Sequence, residues 1–199
     1  MSGIITDNIG RGSGLIKAVS VAGGTWTLLT SVTASGETSI VIGGFSSTYK
    51  KYRLEIEGMT PSVDNVSGYL TVSANADGSS PVTSNYSYQK DFMWTSNNNN
   101  TYSSYNSSSD SNWQIISGLG SASGEGADFT FMFNEVTNAT KEPSIYGSGY
   151  VGYYTASDNG VKMNIGGKLE SFASAVASLV FTLGSGNFEA GNFRLYGME

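Results

Sequence analysis

The chain has 199 residues, a formal net charge of −6, only 13% charged residues, and neither cysteine nor histidine. That removes disulfides, thiolate metal sites, thiol nucleophiles and any Ser-His-Asp arrangement, and the acidic balance argues against nucleic acid as a partner. Twenty-six glycines against three prolines, with abundant Ser, Asn, Thr and Tyr, is the composition of short strands joined by many turns.

Residues 1–24 show no clean period. Ile4, Ile5 and Ile9 precede a Gly-Arg-Gly-Ser-Gly run, and Leu15 and Ile16 follow it. The apolar residues would be awkward in water, so the segment reads as an extended N-terminal arm that contacts a partner through Ile4, Ile5, Ile9, Arg11, Leu15 and Ile16. The plainer alternative is a frayed end with one strand in it. It does not read as a secretory leader, because Asp7 and Arg11 come early and no apolar h-region follows. No stretch reaches the ~18 apolar residues of a membrane span. The glycine run lacks the Gly-Lys-Ser/Thr of a phosphate loop.

Residues 25–199 read as one domain. Trp26–Val32 and Ser39–Ile42 are strand candidates. In Tyr49–Glu57, Tyr52, Leu54 and Ile56 alternate with Lys51, Arg53, Glu55 and Glu57, which predicts one buried and one solvated face. Gly58-Met59-Thr60-Pro61 is expected to end that strand. Gly68–Ala74 follows, with Leu70, Val72 and Ala74 on one face. The acidic turn after it lacks the Asp ladder and distal Glu of a calcium loop.

Ser84–Trp113 combines aromatic residues with the polar tract TSNNNNTYSSYNSSSDSN. Such a tract cannot bury enough apolar surface to form core. It is expected to be a long exposed loop, or a pair of wet strands with a wide tip. Tyr with Ser and Asn gives stiff aromatic contacts and adaptable hydrogen bonds. Tyr86, Tyr88, Trp94, Tyr102 and Tyr105 are therefore candidate surface-contact residues, suited also to stacking on sugar rings.

Trp113–Leu119, Asp128–Val136 and Ser144–Tyr154 are further strands. Phe129, Phe131 and Phe133 share one face, and Gly147, Gly149 and Gly152 mark bulges or a close backbone approach. Asn159-Gly160 is a hairpin signal, and Lys162–Ile165 returns from it. Lys168–Val180 fits a turn of helix or a loop, with a strand from about Ala177. The last segment reads as a hairpin: Val180–Leu183, a Gly-Ser-Gly turn, and a final strand with Phe193 and Leu195 on one side. Its end must pair with something made earlier. Strand candidates recur every ~10–15 residues, the rhythm of a sandwich or barrel. The carboxylates are the only candidate catalytic groups. Most sit in turns or on polar faces, so no enzyme activity, no metal and no cofactor is expected.

Two ends of the chain carry a resemblance. The opening SGIITDNIGRGSGLIKA and the closing SGNFEAGNFRLYGM, an S-G-x-x-x-x-G-x-x-x-L-Y-G pattern, resemble small structural proteins of tailed, especially marine, bacteriophages. The middle segments YKKYRLEIEGMTP and YLTVSANADG are similar as well. The resemblance implies an all-β, jelly-roll-like single antiparallel β-sandwich, homotrimeric, on the virion surface after synthesis in the host cytoplasm. The resemblance leaves the place on the virion open; the small size, the arm and the lack of the heptads or repeats of a fibre shaft favour a capsid decoration (cement) protein that binds the major capsid protein or other virion proteins through arm and sandwich end. The alternative it leaves open is a tail fibre or adhesin domain that binds host surface glycan through the Tyr/Asn-rich loop. It implies no catalytic residue.

Overall fold

Alternating apolar residues build the sheets as expected. In Lys51–Pro61, Tyr52, Leu54 and Ile56 are buried, while Lys51 and Glu57 are exposed. The strand does not end at Gly58. A bulge there, with φ +60, shifts the register, and Met59 and Pro61 then take the buried positions. Asp128 Oδ1 accepts the Gly58 N–H at 2.7 Å, which pins the bulge.

The computed structural model describes residues 24–96, 99–152 and 160–199, with backbone alone for 94–96 and 99–101. Twelve strands are present among them: β1 (Thr27–Ala34), β2 (Ser39–Gly43), β3 (Lys51–Pro61), β4 (Val66–Ser73), β5 (Tyr86–Ser96), β6 (Asn99–Asp110), β7 (Trp113–Leu119), β8 (Ala127–Asn134), β9 (Ser144–Gly152), β10 (Gly160–Leu169), β11 (Ser178–Leu183) and β12 (Phe188–Met198). No helix occurs among the described residues. All pairings between strands are antiparallel.

The larger sheet has the order β1-β12-β3-β8-β9-β10-β5-β6 and the smaller β2-β11-β4-β7. Successive strands β1 and β2, β3 and β4, β7 and β8, and β11 and β12 fall in opposite sheets. This is the jelly-roll wiring, with β1-β12-β3-β8 matched against β2-β11-β4-β7. Two hairpins are inserted into it. β5–β6 lies between β4 and β7 in sequence, and β9–β10 lies between β8 and β11. Both add to the β8 side of the larger sheet and carry it four strands beyond the basic sandwich.

Two expectations change. β11 and β12 are not a hairpin: β11 pairs β2 and β4, whereas β12 pairs β1 and β3. The glycine-rich link between them crosses from one sheet to the other, and the end of the chain forms an interior strand. Between Leu169 and Ser178 the chain takes the loop, one of the two forms expected there, which buries Val176, and β11 begins at Ser178, one residue from the expected start. Ala74 is exposed, just past the end of β4.

The polar tract resolves as paired strand. β5 and β6 pair from Tyr86↔Asp110 to Ser96↔Asn99, which leaves two residues between them rather than a wide tip. Ser and Asn side chains are tolerable there because the backbone bonds hold β6 in place, and a polar edge discourages pairing with foreign strands.

The core lies between the sheets as a single cluster. Trp113, Tyr52, Tyr86, Phe131, Phe133, Phe181, Phe188 and Phe193 are its largest fully buried side chains. Phe181 of one sheet meets Phe193 of the other with ring centroids 5.5 Å apart. Gly147 and Gly149 serve as a close approach, not as bulges. A Cβ at Gly149 would lie 2.2 Å from the Phe129 ring, and one at Gly147 2.6 Å from the Phe131 ring. The stacked Phe129 and Phe131 rings occupy that space.

Candidate interaction surface

The sheet extension has two faces, and the tyrosines predicted as contacts divide between them. On β5, residues 86, 88, 90 and 92 point inward and 87, 89, 91 and 93 outward, because side chains alternate along a strand. Tyr86 and Tyr88 are buried and belong to the core, which corrects their placement on a contact surface. The Tyr86 hydroxyl accepts the Val72 N–H at 2.9 Å and donates to the Val82 carbonyl at 3.1 Å. It thereby serves a stretch of β4 beyond Leu70↔Trp113, where pairing with β7 has stopped. Burial pushes the Tyr86 and Tyr88 hydroxyls above the usual tyrosine range. The Trp94 side chain lies outside the described residues, as do Ile4, Ile5, Ile9, Arg11, Leu15 and Ile16 of the arm.

Tyr102 and Tyr105 are exposed, at 64% and 45%, but on opposite faces of β6. Tyr105 lies over Lys90, which is only 2% exposed. The Lys90 ammonium donates to Gln114 Oε1 at 2.6 Å and Ser117 Oγ at 3.1 Å. It also sits 5.2 Å from the Phe92 ring and 5.1 Å from the Tyr105 ring. Burial pulls its pKa from the ordinary 10.5 to about 8, with the charge of Asp110 opposing the shift. This cluster ties the inserted hairpin to β7. Nothing in the sequence marked Lys90 for burial except its place among Tyr86, Tyr88 and Phe92 at a period of two.

Tyr102 points outward beside Met93, its register partner on β5. Register carries the row on to Lys162 of β10 and Tyr150 of β9. The next row is Ser104, Asp91, Asn164 and Ser148, and the one after it includes Gln89, Gly166 and Tyr146. Met93, Tyr146 and Tyr150 are 48%, 51% and 49% exposed. Sequence reasoning missed these three. The available signal was Tyr146-x-Ser148-x-Tyr150 alternating with Gly147 and Gly149, which sets a polar, aromatic face against a glycine face.

Among the described residues no group of three or more His, Cys, Asp or Glu side chains gathers to hold a metal ion. Glu57 is paired with Arg194 at 2.8 Å, Glu135 with Lys141 at 2.8 Å and Glu142 with Lys168 at 3.0 Å. Those bonds hold all three carboxyls below their ordinary range. An open depression of about 370 Å³ lies beside the aromatic rows, lined by Glu55, Glu57, Asp128, Thr130 and Ser148 among others.

At the other end of the same outer face, the Arg53 guanidinium lies 4.7 Å from the Trp26 ring and 4.9 Å from the Tyr196 ring. Gly24 abuts Met198, where a Cβ would come within 2.1 Å of the methionine side chain. The described chain therefore begins against the outer surface of the larger sheet. No protein-family profile matches this chain, and no curated protein or solved structure matches it either.

Proposed function

We propose that this chain is a bacteriophage virion structural protein, a capsid decoration protein that attaches through residues 1–24 and the adjoining end of the sandwich to the major capsid protein or a neighbouring virion protein. The observation that carries this reading is the entry point at Gly24–Trp26. Gly24 and Trp26 lie on the outer face of the β1-β12-β3 end rather than in the core, and the sequence before them holds the Ile and Leu residues expected to contact a partner. The jelly-roll wiring supports it, since that architecture serves in viral capsids, but it serves in lectins as well. The resemblance of both chain ends to small phage structural proteins points the same way. A homotrimer on the virion surface belongs to this proposal, and neither catalysis nor a cofactor enters it.

The exposed Tyr102 and Tyr105 of β6 favour a second reading, a tail fibre or adhesin domain. Copy number per particle, measured by quantitative mass spectrometry against the major capsid protein, separates the two. A ratio near one or a simple fraction supports decoration, and deletion of residues 1–14 then abolishes attachment. A handful of copies supports the tail. Absence from purified particles sinks both.

A further inference from the structure

Four strands of the larger sheet extend past the basic jelly roll, and their outer face has an unusual make-up. The exposed Tyr102 and Tyr150 stand at the two ends of one cross-strand row, with Met93 and Lys162 between them. Three strand spacings separate them, roughly 14 Å. Each ring has a neighbour on the sheet. The Tyr102 hydroxyl faces the Asp91 carboxylate, whose proximity pushes its pKa up. The Tyr150 ring lies on Gly160, where a Cβ would meet ring atoms at 2.2–2.6 Å, so one ring face is pressed to the sheet while about half of the side chain remains open to solvent. The neighbouring row supplies exposed Ser104, Asn164 and Ser148. Beyond it Gly166 leaves open space above the sheet, which keeps the floor flat.

We propose that this face is a platform for a linear glycan, with Tyr102 and Tyr150 stacking on sugar rings and Lys162, Asn164 and Ser148 bonding sugar hydroxyls. The composition decides between occupants. A protein partner seals its interface around a contiguous apolar centre. Here the rings are isolated and interleaved with amide, hydroxyl and ammonium groups. A pyranose chain has the matching pattern, with apolar C–H faces that suit the electron-rich face of an aromatic ring and a rim of hydroxyls. A Tyr150 ring already packed on Gly160 loses little freedom on binding. The platform lies on the sheet extension, away from the arm's entry point, so it goes beyond the attachment proposal and does not depend on whether the particle site is capsid or tail.

The test applies the full-length protein to an array of bacterial O-chain polysaccharides, capsular polysaccharides and linear hexose tetramers. Binding to at least one glycan is expected. Tyr102→Ala and Tyr150→Ala should each weaken it by about tenfold or more, with near-ultraviolet circular dichroism confirming the fold. Tyr102→Phe, which keeps the ring, should retain most of it, and Leu28→Ala, exposed on the same sheet but on β1, should leave it unchanged. Silence across the array, or binding indifferent to both tyrosines, overturns the proposal. So does a change in sedimentation caused by the same two substitutions, which would make the face a contact between copies of this chain. Copy number per particle is unaffected by any of these results, so failure here is separable from failure of the attachment reading.

Discussion

Lys90 Nζ stands 2.6 Å from Gln114 Oε1, a bond from the inserted β5–β6 hairpin to the edge strand of the smaller sheet. Tyr105 of β6 covers the same ammonium. One buried charge thus fixes both strands of the hairpin relative to the jelly roll, and with them the position of the exposed tyrosines. Buried charges are costly unless hydrogen-bonded, and here a carbonyl oxygen, a hydroxyl and aromatic faces share that task.

Stability should therefore rise with pH above about 8. The Lys90 ammonium loses its proton at about 8 in the folded chain and at the ordinary 10.5 when unfolded. Between those values the unfolded chain binds more protons, so alkalinity favours folding. Below pH 8 both states are charged and the cost of burial is fully present. The full effect is about 3 kcal/mol. Tyr86 and Tyr88, whose hydroxyls are raised by burial, contribute in the opposite sense. Their stabilisation is complete below the ordinary tyrosine value of about 10 and is lost as pH rises past it. Urea titrations at pH 7, 8, 9 and 10 should show the rise, and Lys90→Met should flatten it. A slope unchanged by that substitution would assign the effect to another group.

Tyr86→Phe should destabilise the chain by about 1–3 kcal/mol, because it strands a buried Val72 N–H and the Val82 carbonyl. The urea midpoint should fall while the slope of the transition stays constant. An unchanged midpoint would mean that water replaces the hydroxyl.

Gly149→Ala should cost about 3 kcal/mol or prevent folding, since its Cβ would lie 2.3 Å from the Asp128 carbonyl oxygen as well as 2.2 Å from the Phe129 ring. Gly166→Ala is the contrast. A Cβ there meets nothing within 4 Å, and the melting temperature should barely move. Comparable losses at both positions would contradict the packing of Phe129 over β9.

Arg53→Ala should release Trp26 from its place beside the guanidinium, at a cost of about 1 kcal/mol. In a Trp94→Phe background, acrylamide quenching of tryptophan fluorescence should increase, because the one other tryptophan, Trp113, is fully buried and shielded throughout. No change in quenching would show that the outer surface holds the entry segment without Arg53.

The sequence by itself determined the all-β class, most strand positions and the faces of the regular strands. Tyr52, Leu54 and Ile56, like Phe129, Phe131 and Phe133, alternate cleanly and are buried as that alternation requires. It also singled out Tyr102 and Tyr105 as exposed. Tertiary structure alone decided which strands meet. Gly184-Ser185-Gly186 permits a hairpin and an arch between sheets equally well, because a flexible link fixes neither partner, and the choice falls to the distant strands β1 and β3 that flank β12. Burial of Tyr86, Tyr88 and Lys90 likewise depends on β7 packing against them. The aromatic platform exists only in the register that brings Tyr102 of β6 into one row with Tyr150 of β9, 48 positions later in the chain. Local pattern sets the face on which a side chain stands, whereas its neighbours are set by long-range pairing, to which a period of two is blind.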